Sequence, residues 1–458
     1  MKNNKKPTIG LIPVIKPREY ADNIPEMVEA AKNGLENDDV EVRVSETLKY
    51  EEDIVNETNK IKNDVDLIVY LVGTWILGPQ IVSAVRELNT PFVLWSLTTQ
   101  PNCALGGATV VKYTLQEMNI NFKFIAGLPQ DKDTIDEIIT YSKAAFVKSQ
   151  LSTAKIGNLG GKSMGMYNAT LDEIYWKKTT GIDMPHYDNY RIIKKMDSFA
   201  EEEVEKIVND VKEKSDNIVR EVDDSDVKLE DTDLKTQVKL YLSMKELVEE
   251  ENLVALGSKC QPVLSSSSEG LGCAACVSHS LLNDNGIPTA CESDMPSAIT
   301  MYILQQLTNQ VTFFGDINSI DEEKDALRIM NCGSAPFSMA NPNKDVELWP
   351  VPVMMGYPGI SRGATTSFPL KTGKITLAKI GGSKETARIH VATGKSIPTE
   401  TGPKGVFTER WPQVLIDLDV DVRNFLDKAI GQHYILVYGD WTNELKELCK
   451  ILGVKFDH

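Results

Sequence analysis

The alternation of short apolar runs with helical patterns over residues 1–150 most constrains the fold. Because strands of a parallel sheet are buried on both faces, they show nearly continuous apolar runs. This pattern predicts a parallel α/β domain whose ligand-binding loops follow the carboxyl ends of its strands. The runs that predict strands are "PTIGLIPVI" (7–15), "VEVRV" (40–44), "VDLIVYLVG" (65–73), "PFVLWSL" (91–97) and "FKFIAG" (122–127).

Two further sections follow this first domain. A second α/β section begins near "AKIGNLGGKSMGM" and extends to about residue 318. Beyond it, short β-like runs punctuated by glycine and proline are typical of an antiparallel sheet or a small barrel. We therefore predict an α/β protein with two tandem doubly wound α/β domains, at 1–150 and 151–318. A β-rich, barrel-like C-terminal domain at 319–458 would end in helix, strand and helix.

The chain length and the net charge limit which kinds of protein this can be and which partners it can bind. A chain of 458 residues is too long for one hydrophobic core. Its net charge of -17 disfavours nucleic acid and anionic membrane surfaces as partners. The basic start "MKNNKK" precedes an apolar run that Pro13 interrupts and that lacks a cleavage site, so a first strand is favoured over a signal peptide. We expect a soluble cytoplasmic protein.

The seven cysteines leave two interpretations open. The "CAAC" segment at 273–276 has the spacing of a redox or zinc motif. No second pair lies at zinc-ribbon distance, and the small residues around the segment favour a packed helix. Buried thiols outside disulfides would suit a reducing compartment.

Two carboxylates stand where parallel strands are predicted to end. Glu292 in "ACESDMPSAITMYILQQL" lies between a strand ending at Ala290 or Cys291 and the following helix, and Asp316 in "QVTFFGDINSID" follows the apolar run "VTFF". Because consecutive α/β units usually place their strands side by side, the two carboxylates could face one cavity. Such acids share a proton or a cation. The alternatives are a helix N-cap, for which Asp294 is better placed, and a simple turn at Asp316.

A histidine provides a third candidate ligand. His433 in "GQHYILVYGD" stands at the start of an apolar run that predicts a buried strand. Considered alone, it is more typical of a hydrogen-bonded core residue. Together with two carboxylates, an imidazole would suit a divalent ion such as Mn²⁺, which accepts mixed oxygen and nitrogen ligands.

Several segments, in the same order, resemble the L-fucose isomerase/L-arabinose isomerase superfamily, and the L-fucose isomerase side more closely. The carboxylate stretch is the most specific of them. The chain is shorter than typical L-fucose isomerases, and Gln432 stands where an Asn is usual. Asn331 stands in the region where the arabinose branch has a second histidine, which favours a three-ligand site. The matching segments are "PTIGLIPVIKPRE", "NLGGKSMGM", "ACESDMPSAITMYILQQLTNQVTFFGDIN", "NCGSA" and "GQHYILVYGD".

The resemblance implies a role for each matching residue. Two carboxylates and one histidine would be the metal ligands, and the two carboxylates would also be the acid/base pair. The aromatic residue in "GTWILG" would serve the neighbouring subunit's site, so a homo-oligomer, a trimer or a hexamer, is expected. The implied metal ligands are Glu292, Asp316 and His433, and the implied substrate-binding residues are Arg18, Trp75, Gln261 and Gln432.

The implied activity is aldose–ketose isomerisation through an ene-diolate, dependent on Mn²⁺ or another divalent cation. The substrate would be a fucose- or arabinose-type sugar or a modified sugar such as a sulfosugar. Arg362 in "YPGISRGATTSF" could contact an anionic substituent or lie in a surface turn. Two alternatives stay open: a non-enzymatic cytosolic sugar-binding protein, and a metal-assisted hydrolase or aldolase.

Overall fold

The computed structural model describes residues 5–16, 22–100, 102–221, 228–351, 361–399 and 410–458. The chain divides into two compact units. The N-terminal unit holds residues 4–152 and 443–453, and the C-terminal unit holds 153–442 and 454–458. The division into three domains at 150 and 318 stays a prediction.

The N-terminal unit is built on one parallel five-stranded sheet of order β2-β1-β3-β4-β5. This order is typical of doubly wound folds. Every residue of the third and fourth strands is buried, which explains their apolar runs and confirms the predicted parallel sheet. The elements are β1 (Thr8–Val14), α1 (Ile24–Leu35), β2 (Glu41–Val44), α2 (Glu51–Ile61), β3 (Leu67–Val72), α3 (Gly78–Val85), β4 (Phe92–Ser96), α4 (Ala104–Glu117), β5 (Lys123–Ala126) and α5 (Lys132–Ser152).

The C-terminal unit begins with a second parallel sheet, of order β10-β9-β6-β7, which confirms the second α/β section. A buried core of aliphatic side chains packs around it. The elements are β6 (Ile156–Leu159), α6 (Glu173–Thr180), β7 (His186–Tyr187), α7 (Asn189–Lys195), α8 (Glu201–Glu213), β8 (Asn217–Ile218), α9 (Asp231–Glu251), β9 (Ala255–Ser258), α10 (Cys276–Asp284), β10 (Thr289–Cys291) and α11 (Met295–Thr308).

The rest of this unit forms the predicted barrel. Six antiparallel strands close in the order β15-β18-β11-β12-β17-β16, because β16 pairs back onto β15. β19 extends the sheet beside β16, and β14, β13 and β8 form a small separate sheet. The elements are β11 (Phe313–Asp321), β12 (Ala326–Met330), β13 (Glu347–Pro350), β14 (Ala364–Ser367), β15 (Gly373–Gly381), β16 (Arg388–Ile397), β17 (Gln413–Leu418), α12 (Val422–Lys428), β18 (His433–Tyr438) and β19 (Lys455–Asp457). Between β18 and β19 runs α13 (Thr442–Leu452), which belongs to the N-terminal unit from residue 443 onward.

The topology corrects one prediction about the carboxylates. We expected Glu292 and Asp316 at the ends of neighbouring parallel strands. Instead β10 pairs with β9 in the parallel sheet, whereas β11 lies between β18 and β12 in the barrel. Asp316 is the fourth of nine residues in its strand rather than the last. Helix α11 connects the two sheets, so the rule for consecutive α/β units does not apply here.

Within the described ranges, none of the helices is both long enough and apolar enough to cross a membrane.

Close packing of α4 in the N-terminal unit generates a stability prediction. A Cβ added at Gly107 would lie 2.4 Å from the backbone nitrogen of Ile76, which cannot move aside like a side chain. We expect Gly107→Ala to lower the free energy of unfolding by about 1–3 kcal/mol, because overpacking forces backbone shifts.

Urea denaturation followed by circular dichroism measures this change. Gly78→Ala is the matched control, because its Cβ would meet nothing closer than Val110 Cγ1 at 3.9 Å. Equal unfolding midpoints for the two variants would contradict the packing argument.

Candidate active site

The site begins at a strained turn between β10 and α11. Glu292 and Ser293 adopt left-handed backbone conformations, with φ of 60° and 54°. Such conformations cost non-glycine residues about 1–2 kcal/mol each. The Ser293 hydroxyl anchors the turn by donating to Asn158 Oδ1 at 2.8 Å. Backbone strain held by surrounding contacts is often found at functional sites, and here it aims the Glu292 side chain.

His433 and Asp316 lie directly beside each other on neighbouring strands of the barrel. The two residues are direct partners of the antiparallel pair β11–β18, so their side chains emerge on the same face. Nε2 of His433 is 3.1 Å from Asp316 Oδ1 and 3.2 Å from Glu292 Oε2. The imidazole is fully buried, whereas the Asp316 side chain is 36% exposed. The two predicted carboxylate ligands therefore converge on the Nε2 atom of the third, His433, and the partly exposed Asp316 side chain connects the group to solvent.

The other imidazole nitrogen binds a buried ion pair. His433 Nδ1 lies 2.7 Å from Asp294 Oδ2, and the same oxygen accepts from Lys379 Nζ at 2.9 Å. Lys379 also donates to Ser297 Oγ at 3.1 Å. Asp294 and Lys379 are fully buried. An Nδ1–H donating to Asp294 fixes the tautomer and turns Nε2 towards Glu292 and Asp316, as carboxylates do beside metal-binding histidines.

Burial and charge shift the pKa values of this group. Burial lowers the pKa of His433, but hydrogen bonds with Asp294, Asp316 and Glu292 raise it well above its usual value. Burial raises the pKa of Glu292. Burial opposes ionisation of Asp294 too, yet Lys379 and His433 hold its pKa well below its usual range. Three carboxylates thus surround one lysine and one imidazole, and such an excess of negative charge favours an additional cation.

The donor atoms fit a divalent ion. Separations of 3.1 and 3.2 Å from Nε2 to the carboxylate oxygens are those of adjacent octahedral ligands about 2.2 Å from a shared ion. In the described part of the chain, no group of three or more His, Cys, Asp or Glu side chains is arranged to hold a metal ion. The fit therefore rests on donor type, on these two separations and on the fixed tautomer of His433.

Gln432 lies beside the three predicted ligands. Its Nε2 is 3.4 Å from His433 Nε2, and its Oε1 accepts from Asn168 Nδ2 at 2.6 Å. Asn168 lies two residues after the "NLGGKSMGM" segment. Gln261 is buried in the loop after β9, where its carbonyl accepts from Ser163 Oγ of that same segment at 3.5 Å.

The described contacts of Trp75 and Arg362 are with other residues. Trp75 belongs to the N-terminal unit, where its side chain is exposed and its backbone N–H donates to the Asn102 carbonyl at 2.8 Å. Arg362 is exposed, and its Nε is 3.7 Å from Asp233 Oδ1. Arg18 lies outside the described residues.

Sequence reasoning missed two residues of the site. Asp294 was predicted as a helix cap, and it is one, because its Oδ1 accepts from Ser297 N–H at 2.8 Å. Its second oxygen reaches His433 and Lys379, which a capping pattern does not reveal. Lys379 had a signal in the sequence: it is a charged residue inside the apolar run "ITLAKIG".

Comparison with known proteins indicates which class of enzyme the chain resembles. Residues 329–458 match the family model for the L-fucose isomerase C-terminal domain. The sulfoquinovose isomerase of Priestia aryabhattai is 24% identical over 401 residues, covering 86% of this chain and 85% of that protein. The sulfoquinovose isomerase of Alkalicoccus urumqiensis is 25% identical over 411 residues, covering 86% of each. The chain is therefore a sugar isomerase of the aldose–ketose type. It is similar to L-fucose isomerases, as its motifs indicated, and the enzymatic interpretation is confirmed over the non-enzymatic one.

Solved structures add no functional argument. A periplasmic solute-binding protein from Actinobacillus succinogenes, solved with bound D-allose, covers 67% of this chain and 92% of that protein at 12% identity. Its TM-score of 0.19 is too low to support a conclusion.

The buried Lys379 generates the second stability prediction. Lys379→Met removes the cation that compensates Asp294 and leaves a buried carboxylate with one partner fewer. We expect the free energy of unfolding to fall by about 3–5 kcal/mol, the usual loss when one member of a buried ion pair is removed.

Chemical denaturation of this variant tests the expectation. Lys374→Met, on the same strand, is the control because Lys374 pairs with Asp440 at the surface. Such exposed pairs contribute at most about 1 kcal/mol. A Lys379→Met protein as stable as its control would show that the buried pair has no structural role.

Proposed function

We propose that this isomerase uses a divalent cation and converts a sulfosugar aldose into the ketose through an ene-diolate. The mixed carboxylate and imidazole donors of the site favour Mn²⁺ as this cation. The observation that carries the proposal is the convergence of Glu292 and Asp316 on Nε2 of His433, whose Nδ1 is held by Asp294. The sulfosugar substrate is supported by the sulfoquinovose isomerases that resemble the chain over most of its length.

The reaction moves one proton between C1 and C2 of the open-chain sugar. When bound, the cation would polarise the sugar carbonyl and stabilise negative charge on the ene-diolate oxygens. Glu292 is suited to proton transfer because burial raises its pKa towards the working pH. Asp316 is the second member of the acid/base pair, and its exposure allows contact with substrate. Asp294 orients the imidazole throughout.

Polar groups near the ligands would bind sugar hydroxyls. Gln432 lies within 3.4 Å of His433 Nε2 and is itself fixed by Asn168, so its amide is oriented at the site. Gln261 is a further candidate from the loop after β9. Arg18 and Arg362 are the proposed cationic contacts for a sulfonate. The Arg362 side chain has only one distant carboxylate partner among the described ion pairs.

An exposed apolar surface supports a homo-oligomer, which we propose to be a trimer or a hexamer. Trp75 is 39% exposed and Tyr113 is 65% exposed. Apolar clusters of this kind usually mark protein interfaces. We propose that Trp75 completes the site of a neighbouring subunit. The other exposed apolar residues around α3 and α4 are Leu77, Leu105, Val110 and Met118.

We propose a cytoplasmic location for the enzyme. No disulfide joins the seven cysteines, all of which lie in the described ranges. Thiols in this state are typical of reducing compartments, which supports the proposal.

Replacement of Glu292 tests the catalytic proposal. Glu292→Gln keeps the size of the side chain but removes its ability to accept a proton. We expect kcat for sulfoquinovose isomerisation with Mn²⁺ to fall by roughly 10²- to 10⁴-fold, the usual contribution of a positioned acid/base group.

Glu269→Gln is the matched control, because Glu269 is an exposed carboxylate of the same unit. Circular dichroism would verify that both variants are folded. Undiminished turnover in Glu292→Gln would remove Glu292 from the mechanism.

The raised pKa of His433 predicts how metal affinity depends on pH. At neutral pH the metal-free site holds a proton on this imidazole, because its pKa is well above the usual value. Cation binding must displace that proton. Affinity for Mn²⁺ should therefore fall as the pH is lowered, by up to roughly tenfold per pH unit for one displaced proton.

Titration of the chelator-treated protein with Mn²⁺ between about pH 6 and pH 8 measures how the affinity depends on pH. The His433→Ala variant should no longer bind Mn²⁺ at this site. Affinity that is independent of pH, or retained by His433→Ala, would exclude the imidazole as a ligand.

A further inference from the structure

A cavity lies at the start of strand β17, away from the residues that would hold C1 and C2 of the sugar. Its volume is about 410 Å³. Small-molecule sites typically have volumes of roughly 300–1,000 Å³. We call it the β17 cavity, and its lining includes Lys344, Asp345, Glu347, Arg410, Trp411 and Gln413.

The register of the barrel strands places this cavity near the candidate ligands. Asp316 is the direct partner of His433 on one side and of Met330 on the other, and Met330 is the direct partner of Gln413. Direct partners in antiparallel strands have their side chains on the same face of the sheet. Because neighbouring strands are about 4.8 Å apart, Gln413 lies about 10 Å from Asp316 along the sheet. This separation is comparable with the length of an open-chain sugar of six carbons.

The charges around the β17 cavity favour an anion, although the chain as a whole carries a net charge of -17. Two cationic and two anionic side chains line the cavity. Arg328 adds a third cation at its edge, because its NH1 donates to Gln413 Oε1 at 2.6 Å. None of the ion pairs among the described residues includes Arg328, so its charge would be compensated by an anion bound in the cavity.

Arg410 is oriented by its neighbours but keeps donors for a ligand. Its guanidinium lies 4.5 Å from the centre of the Trp349 ring, and its NH1 is 3.7 Å from Glu347 Oε2. That distance is longer than a hydrogen bond. The same Glu347 oxygen already accepts from Trp349 Nε1 at 2.7 Å. The Arg410 side chain is 43% exposed, so its planar fork of N–H groups can bind an oxyanion through two hydrogen bonds.

The wall of the β17 cavity also holds a donor that lacks a partner. Trp411 lines the cavity, and its indole N–H is buried without a hydrogen-bond acceptor among the described residues. Buried donors are normally paired. An oxygen of a bound sugar is a chemically suitable acceptor for this group.

We infer that the β17 cavity binds the end of the sugar opposite C1, and that Arg410 selects an anionic substituent there. This inference rests on the proposed function, in which Asp316 and its neighbours act at C1 and C2 and the substrate carries a sulfonate. The sugar chain would then extend from Asp316 past Met330 towards Gln413, and its sulfonate would meet Arg410. The contact is remote from the bonds that change, so it contributes to KM rather than to kcat.

The experiment compares Arg410→Gln with the unmodified full-length protein in the presence of Mn²⁺. The two sugars are sulfoquinovose and quinovose, its neutral analogue without the sulfonate, measured as a substrate or as a competing inhibitor. We expect KM for sulfoquinovose to rise roughly 10- to 100-fold, the usual loss for hydrogen bonds to a charged group. We expect kcat, and the affinity for quinovose, to change by less than about twofold.

Two further variants separate the charge of Arg410 from its structural role. Arg410→Lys keeps the charge but not the planar fork, so it should recover part of the affinity. Arg423→Gln is the matched control, because Arg423 is an exposed arginine of the same unit that pairs with Glu322. An unchanged KM in Arg410→Gln, an equal loss for both sugars, or a fall in kcat alone would each overturn the inference.

Calorimetric titration with sulfoquinovose distinguishes this inference from the proposed function, because it measures affinity whether or not the sugar is isomerised. Affinity that depends on Arg410 without turnover would refute the proposed function and retain the cavity as a site for anionic sugars. Turnover with an affinity independent of Arg410 would refute the inference alone. A protein that neither binds nor isomerises sulfoquinovose would refute both.

Discussion

The buried contact of Asp294 with Lys379 and His433 is the interaction on which the site depends. One oxygen of Asp294 caps α11, and the other binds both the lysine and the imidazole. These side chains come from α11, β15 and β18, so one carboxylate connects the helix that follows Glu292 to two strands of the barrel. Isolated charges at such depth would be strongly unfavourable, and mutual pairing offsets their desolvation.

Closure of the barrel supplies the second constraint. The pairing of β11 with β18 sets Asp316 directly against His433, and a slip of one residue would turn Asp316 to the opposite face. Strand β15 pairs with β18 on its other side and carries Lys379, whose Nζ binds the same Asp294 oxygen as the imidazole. The rigid strands thus position two of the candidate ligands, whereas the strained turn after β10 positions the third candidate.

The sequence by itself determined the parallel sheets, because strands buried on both faces must be apolar throughout. It also identified Glu292, Asp316 and His433 as candidates, through rare polar residues at the borders of apolar runs and through a family resemblance. Only the tertiary structure decided how they meet. Asp316 reaches the site through antiparallel pairing in a barrel, and not from the neighbouring parallel strand that local rules predicted. Asp294 and Lys379 are 85 residues apart in the chain and acquire their roles by contact alone. Such long-range contacts depend on strand register and barrel closure, which no local pattern of residues encodes.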